Sequence, residues 1–220
     1  QRDAGLFHTA ILFESEEALA GAVYSVARKY PNTFTGSSDH LVSKAFYFTD
    51  PEGNGVELYW DRDRSAWSWT HGSLEMATLY LDPNAFLQEN LSERVVDKPM
   101  LGGAKVGHVH LQVGDLETAR EFYVNTLGFE TTVELPGSAL FVSAGGYHHH
   151  MAMNVWNSRG AGKRPNTLGL GRIDIDVPTA DDLGELVGRA RGQHLDTRDD
   201  GRTVSLDDPW GNLISVTAAR

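Results

Sequence analysis

GHVHLQVGDLETAREFYVNTLGF, residues 107–129, changes its hydrophobic period part-way along. Through Val113 the apolar residues alternate with His108, His110 and Gln112, the period of a strand with one polar face. From Leu116 the period lengthens: Leu116, Ala119, Phe122 and Tyr123 fall on one side of a helix, and Gly128 supplies its stop. FETTVEL (129–135), SALFVSAG (138–145) and HHHMAMNVW (148–156) then read as three further strands. The stretch therefore opens a βαβββ unit.

The same unit is written twice more. LFHTAILF (6–13) alternates as a strand. SEEALAGAVYSVARKY (15–30) has the helical stripe Leu19, Val23, Val26, and KAFYFTDPEGNGVELYW (44–60) reads as two strands around a tight turn. Near the end, GLGRIDIDV (169–177), ADDLGELVGRAR (180–191) and RTVSLDDPWGNLISVTA (202–218) repeat the order. Its turn, Asp208-Pro209-Trp210-Gly211-Asn212, matches Asp50-Pro51-Glu52-Gly53-Asn54 of the first copy. The expected architecture is α+β, with repeated βαβββ units forming curved mixed sheets around a cup. Units are expected at residues 1–60, 105–156 and 166–220, with a polar surface connector at 61–104 that carries one short helix around NAFLQENL. Three copies is an odd count for sheets whose edges pair. The expectation is a further unit preceding residue 1, or pairing between subunits of a homo-oligomer.

Composition narrows the chemistry. The 220 residues carry a net charge of -11 from interspersed acids, so no basic face for nucleic acid is expected. There is no cysteine, hence no disulfide, thiolate nucleophile or thiolate metal site; histidines and carboxylates are left as ligands. No apolar run has the length of a membrane span, and the first residues lack a signal-peptide layout, so a cytoplasmic enzyme is the expectation.

The 107–129 stretch and the two DPxGN turns resemble the vicinal-oxygen-chelate superfamily of glyoxalases, bleomycin and fosfomycin resistance proteins and extradiol dioxygenases. LFHTAILF, SSDHLVSKAFYFTDPEGNGVELYWDR (37–62) and FVSAGGYHHHMAMNVW (141–156) together are similar to the bacterial catechol 2,3-dioxygenase group. That group has four units, and this chain resembles the last three. The resemblance places metal ligands on the first and last strands of a unit. Those slots hold His8 and Glu57 in the first copy, His108 and His150 in the second, and Arg172 and Ser215 in the third. It therefore implies a site of His8, Glu57 and His108, shared between the first two copies, with His150 as acid–base. His40 and Tyr47 would hydrogen-bond the substrate.

Two imidazoles and one carboxylate form the ligand set of non-haem Fe(II) oxygenases, and Mn(II) accepts it too. The implied reaction is ring opening of catechol or a substituted catechol by O2, a step of aromatic catabolism, with a small aromatic diol as substrate. Two alternatives stand beside it. One is a metal-dependent isomerase or transferase of the glyoxalase or fosfomycin-resistance kind, for which His148 or His150 would supply a fourth ligand. The other is a metal-free drug-binding module. On bland readings His148–His150 are an exposed run, His71, His110 and His194 are structural or surface residues, and Tyr47 packs in the sheet with its hydroxyl at the rim.

Overall fold

The computed structural model describes residues 3–97, 103–165 and 169–219. The chain divides into two compact units, Phe7–His110 and Gln1–Leu6 with Leu111–Arg220. The architecture is α+β with mixed sheets.

Residues 7–110 contain β1 (Gly5–Phe13, begun just upstream), α1 (Glu16–Lys29), β2 (Phe34–Asp39), β3 (Ser43–Thr49) and β4 (Gly55–Asp61). A small hairpin of β5 (Trp69–Thr70) and β6 (Ser73–Leu74) follows, then β7 (Leu79–Tyr80), α2 (Pro83–Asn90), α3 (Glu93–Asp97) and most of β8 (Ala104–Gln112). The strand order is β7-β2-β3-β4-β1-β8, with β1 parallel to β4 and β2-β3-β4 antiparallel. Ser15 caps α1 by accepting the Ala18 N–H at 3.1 Å, and acids at its start and bases at its end suit the helix dipole.

The two sheet faces divide as strand alternation requires. Ile11, Phe13, Phe46, Phe48, Val56, Leu58 and Trp60 pack beneath Leu19 and Val23 of α1. Ala10, Ala45 and Tyr59, with Leu12 and Tyr47 beside them, occupy the opposite face. The connector contributes to the core as well as the surface. Asp82 caps α2, and Phe86 is buried in the cluster under α1, 4.9 Å from the Phe46 ring. Residues 98–102 of the connector, and residues 166–168 at the start of the third copy, lie outside the described residues.

The other unit begins with α4 (Leu116–Arg120), extended by a wider π-helical turn at Glu121–Thr126, and β9 (Glu130–Leu135), β10 (Ala139–Ser143) and β11 (Met151–Asn154). It continues with β12 (Ile173–Val177), α5 (Ala180–Gly192), β13 (Arg198–Asp199), β14 (Thr203–Asp207) and β15 (Leu213–Ala218). The third copy's order, β12-β15-β14-β13 with β12 parallel to β15, repeats the β1-β4-β3-β2 order of the first. The repetition extends to single bonds. In each DPxGN turn the aspartate accepts two backbone N–H groups and the asparagine side-chain N–H, and the glycine sits at positive φ, 86° for Gly53 and 82° for Gly211.

The second and third copies are joined by polar contacts. Arg189 of α5 donates to the Thr126 carbonyl at 2.8 Å, and the Tyr123 hydroxyl donates to Asp208 Oδ2 at 2.8 Å. Burial raises the Asp208 pKa, opposed by the bonds from Asn212 and Tyr123. An acid whose pKa is raised by folding favours the folded state at low pH and loses that contribution as pH rises through the raised value. Tyr123→Phe removes one donor from a buried carboxylate, so it should cost about 2 kcal/mol at neutral pH. The cost should shrink toward acid pH as Asp208 protonates. Urea unfolding at pH 7 and pH 4 measures both; an equal cost at the two values would refute the assignment.

Candidate metal centre

Three side chains meet on the polar face of the 7–110 sheet. His8 comes from β1, Glu57 from the parallel neighbour β4, and His108 from β8 on the other side of β1. All three are buried. His8 Nε2 lies 3.0 Å and His108 Nε2 3.3 Å from the same carboxylate oxygen, Glu57 Oε2, and the two nitrogens are 3.4 Å apart. Two ligand atoms each about 2.1 Å from one cation and at right angles to one another stand about 3.0 Å apart. The donor set therefore fits one divalent ion held from one side. Among the described residues this is the group of three or more His and acidic side chains with ligand atoms close enough to share an ion.

Burial pushes the Glu57 pKa upward, but His108 and His8 outweigh it and hold the carboxyl well below its usual range. Glu57 is thus an ionised carboxylate in a water-poor setting. His108 reaches the site on the first strand of its copy alone. The remainder of that copy lies in the other unit.

Glycine makes room for this convergence. Gly55 pairs with His8 across the parallel β4–β1 ladder, and a Cβ there would stand 2.3 Å from the Phe7 carbonyl oxygen and 2.8 Å from His8 Cβ. The third copy has Leu213 at the matching position after its DPxGN turn, and Ser215 in place of Glu57. Gly107 is required by a different neighbour: an added Cβ would fall 1.8 Å from the hydroxyl of fully buried Tyr59, whose ring lies 4.9 Å from that of His108.

Tyr47 and His40 border the triad. Tyr47 stands directly opposite Glu57 in the β3–β4 ladder and hydrogen-bonds its carboxylate; burial and that charge raise the tyrosine pKa well above its ordinary value. His40 Nε2 lies 2.7 Å from the Tyr47 hydroxyl, and its Nδ1 lies 2.7 Å from the Ala77 carbonyl. A carbonyl only accepts, so Nδ1 carries a proton, and Nε2 faces the tyrosine hydroxyl. Asp39, just before His40, is gripped by both Arg62 Nη atoms at 2.8 and 2.7 Å, which fixes the turn.

The structure brings His8, Glu57, His108, Tyr47 and His40 together within residues 7–110. His150 belongs to the other unit. Alternation along HHHMAMNVW does not extend to its histidines, because the strand starts at Met151 and His148–His150 form the preceding turn. His148 and His149 are buried, with their Nδ1 atoms 2.8 Å apart, so an exposed run is not what they form. His150 is half-buried, and its Nδ1 accepts the Ala144 N–H at 3.3 Å. His71 and His194 are exposed turn residues with φ of 52° and 57°. His110, expected to be structural or at the surface, is buried against the triad. Its ring is perpendicular to that of His8 with 4.8 Å between centroids. Burial, His8 and His108 depress its basicity, which leaves it neutral at physiological pH. The signal for it was in the alternation, since His110 shares its strand face with His108.

Residues 105–216 match the Glyoxalase/Bleomycin resistance protein/Dioxygenase superfamily. The chain is also 36% identical over 208 residues to a Bacillus subtilis protein named Catechol-2,3-dioxygenase, covering 93% of this chain and 72% of that protein. The chain belongs to this superfamily. Among solved structures of glyoxalase-superfamily proteins and their relatives, a putative dioxygenase from Bacillus subtilis superposes with a TM-score of 0.53 at 12% identity. That superposition covers 99% of this chain and 64% of the other, and it speaks to fold alone. A lactoylglutathione lyase from Agrobacterium tumefaciens aligns with 52% of this chain and 93% of its own at 20% identity, with a TM-score of 0.40. Among the described residues, no helix of this superfamily member is long and apolar enough to cross a membrane.

Proposed function

We propose that the protein is an extradiol dioxygenase that opens the ring of catechol or a substituted catechol with O2, using one Fe(II) held by His8, Glu57 and His108. The observation that carries this reading is the convergence of two imidazole nitrogens and one carboxylate oxygen within 3.4 Å of one another. The relative named Catechol-2,3-dioxygenase supports it. The chemistry that such a metal supplies when bound is Lewis acidity toward the diol hydroxyls and a redox centre for dioxygen. Mn(II) suits the same donors.

The residues around the triad handle orientation and protons. The Tyr47 hydroxyl has one proton, which it gives to the Glu57 carboxylate, so its oxygen can receive a hydrogen bond from a diol hydroxyl. His40, anchored through Nδ1–H on the Ala77 carbonyl, holds its Nε2 against the Tyr47 hydroxyl and fixes where that hydroxyl stands. We assign His150 the acid–base role that the resemblance implies. Its Nδ1 accepts a backbone N–H, so the neutral ring carries its proton on Nε2 and presents a hydrogen-bond donor there. Among the described residues the donor set has three members, and this favours ring cleavage over an isomerase of the glyoxalase kind, which the resemblance associates with a fourth protein ligand.

Aerobic incubation of the Fe(II)-loaded protein with catechol should consume oxygen and produce a yellow ring-fission product. No uptake across several substituted catechols would overturn the reading. In the same assay His150→Ala should keep its metal and lose about a hundredfold in turnover. Loss of metal instead would make His150 a ligand and remove its acid–base role.

A further inference from the structure

We propose that His110 is a positioning residue for the metal centre, fixing the ring plane of His8 by edge-to-face contact while remaining outside the ligand set. The inference rests on the metal-centre reading above and concerns a residue which that reading does not use.

Two observations carry it. The first is placement. His110 follows His108 by two residues on β8 and so shares its strand face, but the next side chain on that face stands roughly 7 Å further along the strand. At that distance it meets the flank of His8 rather than the point where the three ligand atoms converge. The second is the packing around the His8 imidazole. The His110 ring stands at 86° to it, 4.8 Å between centroids, and Phe7 lies against both, 4.9 Å from His110 and 5.3 Å from His8. Two rings from two adjacent strands, Phe7 of β1 and His110 of β8, the latter only 3% exposed, leave the His8 ring little freedom to rotate.

Free rotation about the outer side-chain torsion would carry Nε2 away from Glu57 Oε2, because that torsion of histidine is intrinsically broad. A neighbour that restricts it preorganises the ligand and raises metal affinity without touching the ion. His108 has a counterpart in Tyr59, whose ring lies 4.9 Å from it, so each ligand imidazole is braced by one buried ring that is not a ligand.

The test is Co(II) titration of the full-length metal-free chain, followed by calorimetry and by the visible d–d bands of the bound ion. His110→Ala should weaken Co(II) binding about tenfold or more and shift the bands, while His110→Phe, which keeps a ring edge, should stay within about threefold of the parent with unchanged bands. If the alanine variant does not fold, His110→Leu replaces it, since it keeps volume and removes the ring. Parent-like affinity and bands in the ring-less variant would overturn the role of His110. So would a phenylalanine variant as weak as the ring-less one, because the ring contact would then not be what matters. Absence of Co(II) binding by the unaltered chain is a separate result, and it would overturn the metal-centre reading itself.

Discussion

Glu57→Ala should leave a folded protein that no longer holds a divalent metal at micromolar concentration and no longer opens catechol. Changes to groups that merely support metal ligands typically cost ten- to a hundredfold in affinity, so removing the carboxylate that both imidazoles address should cost more than about a hundredfold. The geometry leaves little room for substitution by a neighbour: Oε2 is the atom within 3.0 Å of His8 and 3.3 Å of His108, and all three side chains are buried. Glu57→Gln separates charge from shape. It keeps the volume and one oxygen but not the ionised form that His108 and His8 favour. Metal content after dialysis, read beside the thermal unfolding midpoint of the metal-free proteins, is the measurement. Full metal retention by either variant, at an unchanged midpoint, would remove Glu57 from the ligand set.

Gly55→Ala should be nearly as damaging, although it adds one methyl group. The atoms that a Cβ would meet are a backbone carbonyl, at 2.3 Å, and the root of the His8 side chain, so no flexible side chain can move aside. The strands β1 and β4 must separate at the one register position where His8 stands opposite Gly55. Overpacking of this kind costs about 3 kcal/mol in a packed interior. Here the displacement falls on His8, one of the three proposed ligands, so metal affinity should drop together with stability. A variant that unfolds at the parent's denaturant midpoint and binds Co(II) equally well would show that the strands do not approach as described.

Much of this was legible in the sequence because two signals agreed. Alternation in LFHTAILF and GNGVELYW assigns His8 and Glu57 to the face opposite Ile11, Phe13, Val56 and Leu58, and that face lies under α1. The paired DPxGN turns announce a duplication that the hydrogen bonds repeat atom for atom. What stayed hidden has physical causes. The strand β2, FTGSSD, is polar and carries an irregularity at Phe34/Gly36, so no alternation marks it. Alternation also cannot tell a strand from the turn leading into it, hence the misplaced histidines at 148–150. Alternation puts His110 on the face of His108, but its contact with His8 depends on β8 lying beside β1, a pairing between residues about a hundred positions apart that the alternation does not encode.

The positions of His8, Glu57 and His108 along the chain have a consequence beyond the proposed chemistry. His8, Glu57 and His108 are spaced so that one ion would close two successive loops of about fifty residues each, and closing a loop of that size removes on the order of 4 kcal/mol of freedom from the unfolded chain. This chain has no cysteine and so no disulfide cross-link. The metal would be its substitute: a reversible staple tying the start, middle and end of residues 7–110, so that losing the ion loosens the unit as well as silencing it.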